Sequence, residues 1–230
     1  MNEELKCLLF LGAMFTLLFV SAELLRRIFY VRGEYTRKYV HILTGFFTLL
    51  FPILLTSFWS VLVLCGLFAV ILVLSKKWNQ LRSIHGVKRN THGSLWYPVA
   101  VCLSFFVFQC MGSRLFFYLP ILIMALADPA AALVGQRFPV KKYSLFKYTK
   151  SLGGSLAFFS VAFIISAALI LYLTRTSLIS TIIAGVVIGV FTAFTEAVSR
   201  NGSDNISIPV AAIVTLFLFH SAGLILLQTP

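Results

Sequence analysis

Three acids stand apart in this chain: Asp128, Glu196 and Asp204. Each lies in or beside a long apolar stretch, and together they form an all-oxygen donor set. Such a set suits Mg²⁺, which takes one or two carboxylates and completes its shell with phosphate and water oxygens. The other acids have local explanations. Glu3, Glu4 and Glu34 sit in polar surroundings, and Glu23 stands beside Arg26 and Arg27, where an ion pair is expected.

Asp128 falls inside ILIMALADPAAALVG (121–135). An aspartate at the centre of a membrane helix costs about 2.5–3.5 kcal/mol, so such acids face a bundle interior or a wet cavity. Asp128, Ala131, Ala132 and Gly135 share one helical face, smooth enough for close packing. Pro129 removes a backbone donor and can open the helix locally. The competing reading is a buried structural ion pair. Glu196 ends a comparable face with Gly185, Gly189 and Thr192, and Asp204 lies in the turn-rich SRNGSDNISIP (199–209). Asp204 is equally suited to capping the helix that follows.

Phosphate chemistry has its own candidates. In GQRFPVKKYSLFKYTKSLGGSLAFF (135–159), Lys150, Ser151, Gly153, Gly154 and Ser155 fall at a helix start. Free N–H groups and the helix dipole favour anions there. The GxxxxGK spacing of a nucleotide-binding P-loop is absent, and a Gly-Gly pair also serves plain helix packing. In TRKYVHILTG (36–45), Lys38 and His41 lie one helical step apart, fit either for phosphate contact or for an interfacial role. KRNTHGSLWYP (88–98) adds His92, with Trp96 and Tyr97 expected as interfacial anchors. His85 and His92 lack partners at zinc-site spacing. Cys7, Cys65, Cys102 and Cys110 form no CxxC pair and are expected as small apolar side chains.

The elements that must carry these residues are membrane spans. The chain is 60% hydrophobic and 11% charged, and apolar runs recur at 5–24, 39–56, 58–75, 95–111, 115–135, 152–173, 178–196 and 207–227. This predicts an all-α polytopic bundle of eight spans, as one integral membrane domain over 1–230, with seven spans if 39–75 is counted differently. Pro52 and Thr56-Ser57 are expected to divide that stretch. The first run is long and lacks a cleavage site, so it is expected to be retained.

The net charge of +12 is spread unevenly. Basic residues crowd 25–38, 75–96 and 136–151, and with Arg200 on the same side this leaves only Lys6, Arg114 and Arg175 for the opposite side. This is a positive-inside pattern, which predicts cytoplasmic basic loops, a cytoplasm-facing site and both termini outside. Anionic headgroups account for the charge, which argues against nucleic-acid binding. No internal repeat is evident, which weighs against an inverted-repeat transporter. Oligomeric state is not legible.

Taken in order, RKYVHILTG (37–45), NTHGSLWYP (90–98), DPAAALVGQRF (128–138), KSLGGSLAFF (150–159) and TEAVSRNGSDNISIPVAA (195–212) resemble the CTP-dependent polyprenol and lipid kinases. That family includes dolichol kinase, phytol kinase and yeast-type diacylglycerol kinase. The resemblance implies transfer of the γ-phosphate of a nucleoside triphosphate, CTP being the usual donor, to the hydroxyl of a membrane lipid, with Mg²⁺ or another divalent cation. Under it Asp128, Asp204 and Glu196 would hold the metal or orient the hydroxyl. Lys38, Arg137, Lys150, Ser151, Gly153, Gly154 and Asn205 would hold nucleotide phosphate, and His41 would be a further contact. The rivals are a cytidylyltransferase, whose Asp-rich terminal signature is absent, and a lipid or ion transporter.

Overall fold

The apolar runs fold into helices whose ends are set by identifiable residues. A computed structural model describes residues 3–78, 80–85, 93–145 and 148–227. Helix α1 (Glu3–Arg27) has acids in its first turn and Arg26 and Arg27 in its last, matching the helix dipole. Helix α2 (Gly33–Thr48) runs into the short α3 (Phe51–Leu54), with Pro52 in its first turn. Ser57 then caps α4 (Phe58–Lys77), its Oγ accepting the Trp59 N–H at 3.2 Å. After α5 (Arg82–His85), α6 (Gly93–Met111) ends at Gly112, whose φ of +65° suits a residue without Cβ.

Helix α7 (Leu115–Leu122) continues through a π-helical turn (Ile123–Ala127) into α8 (Asp128–Arg137). Strands β1 (Lys142–Leu145) and β2 (Tyr148–Ser151) form an antiparallel hairpin, which leads into α9 (Leu152–Leu173), α10 (Leu178–Val198) and α11 (Asp204–Ser221).

Among the described residues, seven helices are long and apolar enough to cross a membrane, counting α7 to α8 as one. That composite helix is the axis of the bundle. It is apolar on every side before Asp128, and Leu115, Phe116, Phe117, Leu119, Ile121, Ile123 and Met124 are all fully buried. Against it pack α2, α6, α9 and α11, while α10 packs on α9 and α1 on α2.

Close approach rests on small residues, since lipid supplies little hydrophobic drive between helices. A Cβ on Gly45 of α2 would collide with the Cβ of Ala125, and one on Gly154 of α9 would stand 2.8 Å from the Ala131 carbonyl oxygen.

Several details depart from the sequence expectations. The run at 39–56 is part of a broken helix that begins at Gly33 and carries its polar face inward, so it falls short of the apolar length of the other spans. The last helix stops at Ser221; the chain then folds back, the Arg175 N–H donating to the Leu226 carbonyl at 3.1 Å. The basic stretch 136–151, expected as a loop, contains this hairpin, whose strands are too short and polar to stand out in the sequence. Tyr97 is not an interfacial anchor. It is buried, with its hydroxyl donating to the His41 carbonyl at 3.2 Å, whereas Trp96 is exposed. Glu23 does pair with Arg27 at 2.7 Å, and it also accepts the Ser83 N–H at 3.1 Å. His92, Lys88, Arg89 and Lys147 lie outside the described residues.

Candidate active site

The π turn and Pro129 together explain how Asp128 is presented. A π turn over Ile123–Ala127 sends the Asp128 N–H back to Ile123, one residue further than an α-helix would. Met124 would then need an N–H from position 129, and proline has none. His41 supplies it across the helix interface, its Nε2 lying 2.9 Å from the Met124 oxygen. A carbonyl only accepts, so this imidazole carries its proton on Nε2. The His41 ring also meets Tyr97 edge-on, with centroids 5.0 Å apart. His41 therefore pins α2 to the axial helix just beside the acid.

Around this point opens a cavity of about 910 Å³. Asp128, Glu196 and Asp204 all line it, brought from three different helices. Three carboxylates thus gather like charge around one cavity. Lys38 lines the same cavity from α2. The Lys38 side chain is buried, and its Nζ has no hydrogen-bond partner among the described residues. A buried ammonium without partners is costly. Arg37, also lining the cavity, bonds Glu34 through Nη2 at 3.1 Å and leaves Nε unpartnered among the described residues.

Lys150 closes another side. Its Nζ lies 2.5 Å from Glu196 Oε1 and also donates to the Glu196 main-chain carbonyl. The hairpin positions it, since Tyr143 pairs with Lys150 in register and the Tyr143 hydroxyl meets Ser155 Oγ at 2.6 Å. Ser151 caps α9, its Oγ accepting the Gly154 N–H at 3.1 Å. Asn205 donates from Nδ2 to the Gly93 carbonyl at 2.8 Å, tying the start of α11 to α6, while Asp204 Oδ1 accepts the Asn205 N–H at 3.0 Å.

Of the residues singled out in the sequence, Lys38, His41, Asp128, Lys150, Ser151, Gly154, Glu196, Asp204 and Asn205 converge on the cavity. Arg137 and Gly153 do not line it. Arg137 is exposed, and a Cβ on Gly153 would stand 2.9 Å from the Phe138 carbonyl oxygen, so this glycine serves packing. Arg37, Thr149 and Arg200, which sequence spacing does not single out, also line the cavity. The signal for Arg37 was its place in the same motif as Lys38; for Arg200, its place beside the acid-bearing turn.

Among the described residues no three His, Cys, Asp or Glu side chains form a self-sufficient metal cage. The donors nonetheless fit Mg²⁺, which is commonly held by one or two carboxylates with phosphates completing the shell. The cavity is lined by carboxylates and cations together, a set suited to a metal-bound polyphosphate.

The other end of the cavity is apolar, walled by Phe15, Phe19, Phe51, Leu64, Phe68 and Leu72. No family model matches the chain, and no solved structure matches it. The phytol kinase of Synechocystis sp. is 34% identical over 199 residues, which cover 84% of this chain and 82% of that enzyme. Identity at this level over so much of both sequences establishes kinship, and the chain belongs to the polyprenol and phytol kinase family.

Proposed function

We propose that this protein is a lipid-alcohol kinase that transfers the γ-phosphate of CTP to the hydroxyl of a prenol-type membrane alcohol such as phytol. The observation that carries this reading is a single cavity with acids and cations at one end and phenylalanines at the other. A kinase for a lipid alcohol must bring a polyphosphate and a hydrocarbon chain to one point. CTP is the donor that the family resemblance implies, and the basic loops favour a cytoplasmic entry for it.

Phosphoryl transfer is mostly positioning plus charge neutralisation. Lys38, Arg37 and Lys150 attract the phosphates into the cavity, with Lys150 exchanging its Glu196 contact for phosphate oxygen. Asp204 and Glu196 would hold Mg²⁺ together with the phosphates, and the ion supplies neutralisation of the charge that builds on them. Asp128, presented where the polar and apolar sections meet, orients the lipid hydroxyl and takes its proton. The lipid oxygen bonds to the γ-phosphorus as the bond to the β,γ-bridging oxygen breaks, and the nucleoside diphosphate leaves. His41 keeps α2 and the π turn in place around Asp128.

The test is purified protein in liposomes with Mg²⁺, CTP labelled at the γ- or the α-phosphate, and phytol. The expected result is γ-label in the lipid, dependent on CTP, abolished by EDTA and restored by Mg²⁺. Transfer of the α-label instead would establish a cytidylyltransferase, and transfer of neither would sink both readings.

A further inference from the structure

The apolar section of the cavity has a floor. Phe15 of α1 meets Phe51 of α3 edge-on at 6.1 Å and Phe68 of α4 at 5.0 Å. Phe51 also stacks on Phe117 of the axial helix at 6.5 Å. Phe15, Phe51 and Leu64 are each at most 4% exposed while still lining the cavity, so behind them lies packed protein rather than lipid. Three helices and the axial core therefore converge on one aromatic stop.

The distance from the acid to this stop follows from helix geometry. Asp128 stands one turn, about 6 Å, beyond the Met124 carbonyl that His41 holds. From His41 to Phe51 the chain rises about 15 Å. Along α4, the lining residues from Leu64 to Lys76 cover about 18 Å, in agreement. The axial helix itself rises about 16 Å from Phe117, which stacks on Phe51, to Asp128. A hydroxyl at Asp128 thus has about 16–20 Å of slot behind it, enough for about 13–16 bonds of extended chain at about 1.2 Å each. That is the reach of at most four isoprene units.

We propose that Phe15, Phe51 and Leu64 form a chain-length gauge that admits prenols up to four isoprene units and rejects longer ones. This rests on the kinase reading above and adds which acceptors it takes and which residues decide. A chain one unit too long must displace close-packed rings or bend out between helices. An apolar pocket discriminates by about 10–200-fold per methylene-sized misfit, so a whole extra unit is a severe one. Phe51→Ala deepens the slot by roughly a phenyl ring, and Leu64→Phe raises the floor.

The experiment measures phosphorylation of farnesol, geranylgeraniol, geranylfarnesol and solanesol, which have three, four, five and nine isoprene units, in the same liposomes with Mg²⁺ and CTP. The wild type is expected to turn over geranylgeraniol best, with kcat/KM at least tenfold lower for geranylfarnesol and nothing measurable for solanesol. Phe51→Ala should raise the geranylfarnesol-to-geranylgeraniol ratio about tenfold. Leu64→Phe should shift the optimum to farnesol, and it keeps the test open if the Phe51 variant does not fold. Because the readout is a ratio, a general loss of activity does not mimic it. Comparable use of solanesol and geranylgeraniol by the wild type, or ratios unmoved in folded variants, would overturn the gauge while leaving the kinase intact. Failure of every alcohol to accept phosphate would overturn the kinase reading, and the gauge with it.

Discussion

The two ends of this bundle differ in where their charged groups lie. At the end away from the basic loops, several polar groups are matched locally, although the buried Thr181 hydroxyl has no partner among the described residues. Glu4 accepts from the Ser57 N–H at 3.0 Å and the Ser60 hydroxyl at 2.9 Å, and Gln109 donates to the Thr56 carbonyl at 2.6 Å. Thr176 accepts from the Thr174 hydroxyl at 2.7 Å and the Leu226 N–H at 3.1 Å, clasping the chain where it folds back. At the basic end, three acids line one cavity, and Lys38 is buried with its Nζ unpartnered among the described residues. Of the buried polar atoms without partners among the described residues, only those of Arg37 and Lys38 belong to residues lining the cavity, where the proposed phosphates would supply them.

That contrast is open to breaking. The sharpest break is Asp128→Asn, which keeps the shape but not the charge or the basicity. Phosphate transfer should drop about 10³-fold, within the range for a general base, in protein that still elutes as a folded species. Retained activity would remove Asp128 from the chemistry.

Lys38→Met comes next. It should cost about 10²-fold in kcat/KM, the scale of one lost electrostatic contact to the reacting group. The thermal unfolding midpoint in detergent should rise, because a buried ammonium is exchanged for an apolar chain of similar length. A fall in the midpoint would mean that Lys38 is a structural ion-pair partner after all.

Gly154→Ala tests the shared boundary between fold and site. Its Cβ would lie 2.8 Å from the Ala131 oxygen, so α8 and α9 must part. We expect a destabilisation of about 1–3 kcal/mol and a roughly tenfold loss of activity from the shifted carboxylate. An unchanged midpoint would show that the two helices yield easily.

The smallest effect belongs to the far end. Thr176→Val should cost about 1–2 kcal/mol by leaving the Leu226 N–H unpaired, with activity per folded molecule unchanged. If activity fell there as well, the division of labour between the two ends would not hold.

Much of the architecture was legible because lipid imposes strict rules. Long apolar runs became helices, Pro52 and Ser57 marked the break between α3 and α4, and the Lys150–Gly154 stretch opens a helix. The face Gly185, Gly189, Thr192 and Glu196 is buried as its spacing required. Less legible was α2, whose first half is too polar to read as a span because it lines a cavity rather than facing lipid. Gly153 and Arg137 looked equal to their neighbours in sequence; only the direction in which each points, toward Phe138 or out to solvent, separates them from Lys150 and Ser151.

By itself, the sequence determined that this is a helical membrane protein and which of its acids stand where acids are costly, since hydropathy and charge act residue by residue along the chain. Only the tertiary structure decided that Asp128, Glu196 and Asp204 meet in one cavity, that His41 takes a carbonyl left over by a π turn and a proline, and that phenylalanines from α1, α3 and α4 close its far end. Those outcomes depend on the rotation and depth of each helix against the others, and packing between distant segments sets both.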